Sequence, residues 1–284
     1  MLITECPRDA MQGIHDFIPT TLKVDYIKTL IDAAFPVIDA GSFVSPKAIP
    51  QMADSADVFK ALGEVPSHTK LLAIVANARG AAEAAQHENI SILGYPFSVS
   101  ETFQQRNTNA GIQESLERVE EIIGIAAKSK KTLLVYLSMA FGNSYGDAWS
   151  PELVTTWAEK LSNMGITHLA LADTIGISNE ENIKSLFSTI IPALPEVNIS
   201  AHLHAKPDDV LSKTKAAWDS GCRIFDTAIK GFGGCPMAAD SLTGNMATEL
   251  VVQWCETNQI PTNLNHTAFK NSLLKSNEIF NRYT

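Results

Sequence analysis

Asn198-Ile-Ser-Ala-His-Leu-His204 reads as a buried strand that ends in a pair of histidines. Alternate residues of a strand share a face, so His202 and His204 project together and Leu203 points the other way. Two imidazoles on one face at a strand end can grip a divalent cation at little entropic cost. The plainer alternative is two polar side chains in a partly wet loop. Seven more runs of this kind accompany it: Leu2–Cys6, Pro36–Ala40, Leu71–Ala76, Ile90–Gly94, Thr132–Ser138, His168–Ala172 and Arg223–Thr227. Most are continuously apolar rather than alternating, as expected for parallel strands buried on both faces.

Helical periodicity fills the intervals. Leu22, Tyr26, Ile27, Leu30 and Ile31 form one stripe, and Leu116, Val119, Ile122, Ile123 and Ala126 another. Leu153, Trp157, Leu161 and Met164 form a third. Ser150-Pro151-Glu152 places a cap residue before a proline at the first helical position, and Ser178-Asn-Glu-Glu181 has capping-box spacing. Strands alternating with helices predict an α/β chain folded as a (β/α)8 TIM barrel, with a doubly wound open sheet as the rival. No G-x-G-x-x-G follows the first strand, which removes the usual case for a dinucleotide fold. No linker or composition break appears, so residues 1–284 read as one TIM-barrel domain. Residues 259–284, with Leu264, Phe269, Leu273, Leu274 and Phe280, read as a C-terminal helical extension.

The 284 residues are 45% hydrophobic and 19% charged, a globular composition with material for a substantial core. Net charge is -9 and the basic residues are scattered, which argues against a nucleic-acid partner. No apolar run reaches membrane-spanning length, and the N-terminal residues lack a signal-peptide pattern. Cys6, Cys222, Cys235 and Cys255 show no C-x-x-C spacing, so reduced thiols in a cytoplasmic protein are expected.

In a barrel of this kind the working residues follow the strands. Arg8, Asp9 and Gln12 follow the first, Asp39 lies on the second, and Asn77 ends the third. Tyr95, Ser98 and Glu101 go with the fourth, Tyr136 and Ser138 with the fifth, and Asp173 ends the sixth. Gln12, Asp39 and Tyr136 are expected to contact substrate. Asp173 has two readings, a catalytic acid or a cap on the next helix. Cys6 and Cys222 sit among apolar neighbours and read as core. After the eighth strand, Gly231-Phe-Gly-Gly-Cys235 spends folding entropy on three glycines and presents one thiol. That suits a lid carrying a reactive group. Asp9, His202, His204 and Asn245 together make a metal site of mixed oxygen and nitrogen donors, suited to Mg²⁺ or Mn²⁺.

These residues carry a resemblance to the 3-hydroxy-3-methylglutaryl-CoA lyases, within the metal-dependent carbon–carbon lyases and Claisen-type synthases. The matching motifs are Pro7-Arg-Asp9 with Gln12, Ser42-Phe-Val-Ser-Pro-Lys47 with Pro50-Gln-Met52, and Asp173-Thr-Ile-Gly176. His202-x-His204, Gly231-Phe-Gly-Gly-Cys-Pro236 and Gly244-Asn245 with Thr248-Glu249 complete the set. The resemblance implies cleavage of a 3-hydroxyacyl-CoA to acetyl-CoA and acetoacetate. It implies that Asp9, His202, His204 and Asn245 hold the metal, that Arg8 sits at the thioester carbonyl, and that Cys235 acts from a mobile loop. A fixed guanidinium at a developing enolate is typically worth about 3–4 kcal/mol. His202 or Asp9 would move the hydroxyl proton, and Cys235 or His202 would reprotonate the departing carbon.

The chain also departs from the family pattern. Arg8-Asp-Ala-Met-Gln-Gly-Ile14 stands for Arg-Asp-Gly-Leu-Gln-Asn-Glu, and Asp39 for a glutamate. Ala205, followed by Lys206-Pro207, stands for an aspartate after the histidine pair, and Asn143-Ser-Tyr145 for Cys-Pro-Tyr. The stretch between Cys235 and Asn245 is one residue longer. These changes motivate a second hypothesis, an aldolase or Claisen-type synthase on a 2-keto or hydroxy acid. A third is a metal-retaining barrel that only binds. Lys47 reads as a solvated lysine rather than a phosphate contact, and a homodimer is left open as the assembly.

Overall fold

The computed structural model describes residues 1–234 and 243–283. Eight parallel strands close into a barrel in chain order. They are β1 Leu2–Glu5, β2 Val37–Ser42, β3 Lys70–Ile74, β4 Ile90–Ser98, β5 Thr132–Ser138, β6 His168–Ala172, β7 Asn198–His202 and β8 Ile224–Thr227. The ring closes through β1 and β8, whose register pairs Leu2 with Ile224 and Glu5 with Thr227. Closure decides between the barrel and the open sheet, because a doubly wound sheet leaves two edges unpaired.

The helices are α1 Pro7–Gln12, α2 Thr20–Asp32, α3 Ser55–Leu62, α4 Ala78–Ala85, α5 Glu101–Thr108 and α6 Ile112–Lys128. They continue with α7 Pro151–Asn163, α8 Glu180–Ala193, α9 Val210–Asp219, α10 Thr248–Thr257 and α11 His266–Tyr283. The apolar stripes face the barrel: Tyr26, Ile27 and Leu30 on α2, Val119 and Ile122 on α6, and Val154, Ala158 and Leu161 on α7 are all buried. Inside the barrel a smaller cluster of Leu72, Ile74, Ile92, Tyr136 and Ala170 fills the interior below the mouth. It is a packed floor, not a channel.

Ser150 caps α7 as expected, accepting from the Leu153 N–H at 3.2 Å. The capping box of α8 is shifted by one residue. Asn179 accepts from the N–H groups of Glu181 and Asn182, and Asn182 accepts in return from the Asn179 N–H. Ser178 is diverted from the cap because its hydroxyl and N–H both bind Asp173. The C-terminal extension is dominated by α11, which lies along α2. Phe269 meets Phe35 edge-on, Phe280 meets Tyr26 edge-on, and the Ser272 hydroxyl donates to the Thr29 carbonyl.

β7 stops at His202, so His204 lies two residues beyond the regular strand. It is held instead by an isolated antiparallel bridge with Asn245. The pairing of β2 with β3 slips between Asp39 and Gly41. Such a bulge re-aims side chains at a strand end, and Asp39 sits at the slip.

Candidate active site

The mouth of the barrel, at the C-terminal ends of the strands, opens into a cavity of about 400 Å³. Arg8, Asp9, Gln12, Tyr136, His202 and His204 line its polar side. Pro7 starts α1 directly after Cys6, so the first turn of that helix carries Arg8 and Asp9 into the mouth, and Gln12 follows one turn on.

Arg8 organises this wall. Its Nε lies 3.0 Å from one Asp39 oxygen and 3.2 Å from the other, and Nη2 also donates to Asp39. Nη1 donates to Asp9 at 3.0 Å and to Gln12 Oε1 at 2.8 Å, while Gln12 Nε2 donates to Asp9 at 2.6 Å. A guanidinium has five N–H donors; among the described residues these bonds leave one, on Nη2. Burial works against the Arg8 charge, but Asp39 and Asp9 outweigh it and raise its pKa. Asp39 is itself fully buried behind Arg8 and is not part of the cavity wall. Its carboxylate is taken up in aiming the guanidinium.

The two imidazoles are 5.4 Å apart between ring centres, and their pKa values shift in opposite directions. His202 Nδ1 lies 3.1 Å from Asp226 Oδ2. Burial pushes the His202 pKa down, but Asp226 and then Asp9 more than offset this, and the net shift is upward. His204 is pushed down to about 4 by burial and by the neighbouring His202 ring. It is thus neutral near pH 7, and its buried Nε2 has no hydrogen-bond partner among the described residues. Burial also raises Asp9, but Arg8 and both histidines outweigh that and hold it below the usual carboxylate range. Donor atoms of Asp9, His202 and His204 lie within 4.8 Å of one another. An ionised carboxylate, a buried neutral imidazole with an orphaned nitrogen, and an imidazole oriented by a carboxylate fit a divalent cation. Asn245 donates through Nδ2 to Asp9 at 2.6 Å and to the Phe232 carbonyl at 2.9 Å. Half a turn of its amide would present the oxygen to the same point.

Glycines of the loop after β8 are needed for close approach as well as freedom. Gly233 has φ +96°, and a Cβ there would lie 2.6 Å from the Asp9 carbonyl and 2.7 Å from Asn245 Nδ2. The loop therefore passes directly over two of the expected metal ligands. Phe232 stacks on Phe280 of α11, with ring centres 4.1 Å apart. Cys235 lies outside the described residues.

Asp173 is placed away from the cavity wall. It accepts from the N–H groups of Ile177 and Ser178 and from the Ser178 hydroxyl, and its Oδ2 lies 3.2 Å from Lys213 Nζ. It does not cap α8, whose N-cap is Asn179, but fixes the loop between β6 and that helix. Tyr136 does line the cavity, edge-on to His202, and its buried hydroxyl has no partner among the described residues. Burial raises its pKa well above the usual phenol value, so it stays a hydrogen-bond donor. Lys47 is exposed and outside the wall. Cys6 is fully buried, and burial raises its thiol pKa, in keeping with a core residue.

Several contributors escaped the sequence reading. Asp226, the partner of His202, was visible only as a lone charge in an apolar strand. Glu5 is completely buried outside the barrel wall, accepting from the Ile229 N–H, with its other oxygen 2.6 Å from the Thr248 hydroxyl at the root of the glycine loop. Arg79 and Arg106 bring two cations to the rim, and Arg106 stands over the Tyr145 ring. Asn143, one of the departures from the family pattern, stitches its own loop by accepting from the Tyr145 and Asp147 N–H groups.

A sequence profile described as HMGL-like matches residues 2–273. The mitochondrial hydroxymethylglutaryl-CoA lyase of Bos taurus is 35% identical over 248 residues, covering 87% of this chain and 75% of that protein. The cytoplasmic 3-hydroxy-3-methylglutaryl-CoA lyase of Rattus norvegicus is 32% identical over 245 residues, covering 86% of this chain and 70% of that protein. An HMG-CoA lyase of Acinetobacter baumannii, solved with coenzyme A and 3-methylmalate, superposes with a TM-score of 0.91 at 30% identity, covering 98% of this chain and 90% of that one. With its barrel closed and the motif residues of β1, β7 and the glycine loop gathered at one mouth, the chain belongs to the HMGL-like family.

Proposed function

We propose that this protein is a carbon–carbon lyase that cleaves 3-hydroxy-3-methylglutaryl-CoA, or a close 3-hydroxyacyl-CoA, to acetyl-CoA and acetoacetate. The observation that carries the reading is the convergence of Asp9, His202 and His204 beside an Arg8 guanidinium with one N–H uncommitted among the described residues. The relatives named as lyases of this substrate supply its identity. Arg79 and Arg106 at the rim suit a phosphate-bearing carrier such as coenzyme A.

Asp9, His202 and His204, with Asn245 after rotation of its amide, would hold Mg²⁺ or Mn²⁺. A bound cation of this kind supplies Lewis acidity toward substrate oxygens. The protein's own part begins with the tertiary hydroxyl, whose proton passes to His202 or Asp9. The carbon–carbon bond breaks toward the thioester, and negative charge collects on the thioester oxygen. Arg8, fixed by Asp39, Asp9 and Gln12, meets that charge without reorganising. Tyr136 offers its free hydroxyl to a substrate oxygen. Cys235 or His202 returns a proton to the acetyl carbon, which balances the proton taken from the hydroxyl.

No helix among the described residues is long and apolar enough to cross a membrane. The unpaired thiols of Cys6, Cys222 and Cys255 support a reducing compartment such as the cytoplasm, although the relatives carry both mitochondrial and cytoplasmic designations. The test is purified protein with 3-hydroxy-3-methylglutaryl-CoA and Mg²⁺ or Mn²⁺, followed by acetoacetate release. Arg8→Gln should lower kcat by about 10²–10³-fold, the scale of losing one oxyanion donor, at unchanged fold. Metal-loaded wild-type protein that releases no acetoacetate would end this assignment. It would move attention to a carboxylic-acid substrate without coenzyme A.

A further inference from the structure

The His204 ring faces the cavity, while its peptide group is held from behind. Lys213 Nζ, reaching from the first turns of α9, donates to the His204 carbonyl at 2.7 Å and lies 3.2 Å from Asp173 Oδ2. Lys213 is 4% exposed and Asp173 1%, so the ion pair is buried and unscreened. Asp173 is itself fixed by the Ile177 and Ser178 backbone at the end of β6. On the other flank, the Ala205 N–H donates to the Gly244 carbonyl at 3.0 Å, within the bridge that pairs His204 with Asn245. His204 has already left the β7 ladder. These two contacts therefore replace the strand in fixing its backbone. Among the described residues its ring has no such support, since Nε2 is unpartnered and Ala205 offers no carboxylate.

We propose that Lys213, with Asp173 as its counter-charge, is a positioning residue for His204 and thereby sets the affinity of the cation site. The proposal rests on the metal reading above. Lys213 lines no part of the mouth cavity, so it acts only through the His204 backbone. Outer partners of metal ligands characteristically cost 10–100-fold in affinity or activity when lost. A buried lysine aimed at a ligand's own carbonyl is such a partner.

The experiment is Mn²⁺ titration of full-length protein, with free Mn²⁺ read by electron paramagnetic resonance, and Tm measured in parallel. Wild type is compared with Lys213→Met and with the double variant Lys213→Met/Asp173→Asn. Lys213→Met strands the Asp173 carboxylate, so Tm should fall; the double variant removes that charge and should recover most of the Tm. Mn²⁺ affinity should stay at least tenfold weaker in both, because neither restores a donor to the His204 carbonyl. A double variant with recovered Tm and wild-type Mn²⁺ affinity would overturn the proposal and leave Lys213 a purely structural brace. Wild-type protein that binds no Mn²⁺ would remove the cation site and this inference together. Normal wild-type binding with unaltered variants would remove the inference alone.

Discussion

Glu5 allows a sharp test of how the root of the glycine loop is held. Its carboxyl is fully buried, 2.8 Å from the Ile229 N–H and 2.6 Å from the Thr248 hydroxyl, and Thr248 in turn donates to Thr227. Burial pushes its pKa up to about 8, with those hydrogen bonds opposing and the Glu249 charge adding to the rise. An unfolded glutamate gives up its proton near pH 4.3. Between these values the folded chain holds a proton that the unfolded chain has lost, so stability falls as pH rises through that window. It is fully present below about pH 4 and gone above about pH 8. The slope for one such group is about 1.4 kcal/mol per pH unit. Glu5→Gln keeps the shape of the neutral acid: its Oε1 can accept from Ile229, and its Nε2 can donate to Thr248. The variant should therefore match wild type near pH 4.5 and gain on it by about 2–3 kcal/mol between pH 5.5 and 7.5. Urea unfolding of both proteins at half-unit pH steps gives the difference directly, with all other titrating groups cancelling. Parallel curves across the window would refute a proton held on Glu5.

Gly233→Ala should cost about 1–3 kcal/mol from the strained positive φ, and turnover should fall by about 10²-fold because the new methyl meets the Asp9 carbonyl and the Asn245 amide. Steady-state kinetics at saturating Mn²⁺ with a urea midpoint checks both, and wild-type turnover would contradict the close-approach reading. Phe280→Ala deletes a fully buried ring that stacks on Phe232 and meets Tyr26, so unfolding should become easier by about 3–5 kcal/mol. A loss below about 1 kcal/mol would mean that α11 does not anchor the loop.

The barrel was legible because β3, β5 and β6 carry continuous apolar runs and the helices between strands keep clear stripes, both local properties of the chain. Arg8, Asp9, Gln12, Tyr136, His202 and His204 were legible as strand-end polar residues, and they do share one cavity. The sixth strand's Asp173 was ambiguous, since an aspartate there can serve a helix or a substrate; in the fold Asn179 takes the helix cap, and Asp173 binds Ser178 and Lys213. That Asp39 stands behind Arg8 and binds its guanidinium was not legible, because a carboxylate's distance from a side chain on another strand is not encoded in spacing.

The lysines of α9 mark the boundary between the two kinds of information. Ser212-Lys213-Thr-Lys215 looks alike at both lysines, yet Lys213 is buried against His204 and Asp173 while Lys215 pairs with Asp219 in solvent. Periodicity alone determined that this protein would alternate strands and helices and carry its polar residues at strand ends, because hydrophobic pattern acts over neighbouring residues. Which carboxylate aims a guanidinium, which lysine braces a histidine and which imidazole is left neutral were decided by tertiary structure. Those choices depend on desolvation and on charges brought close from distant segments, and no local pattern records them.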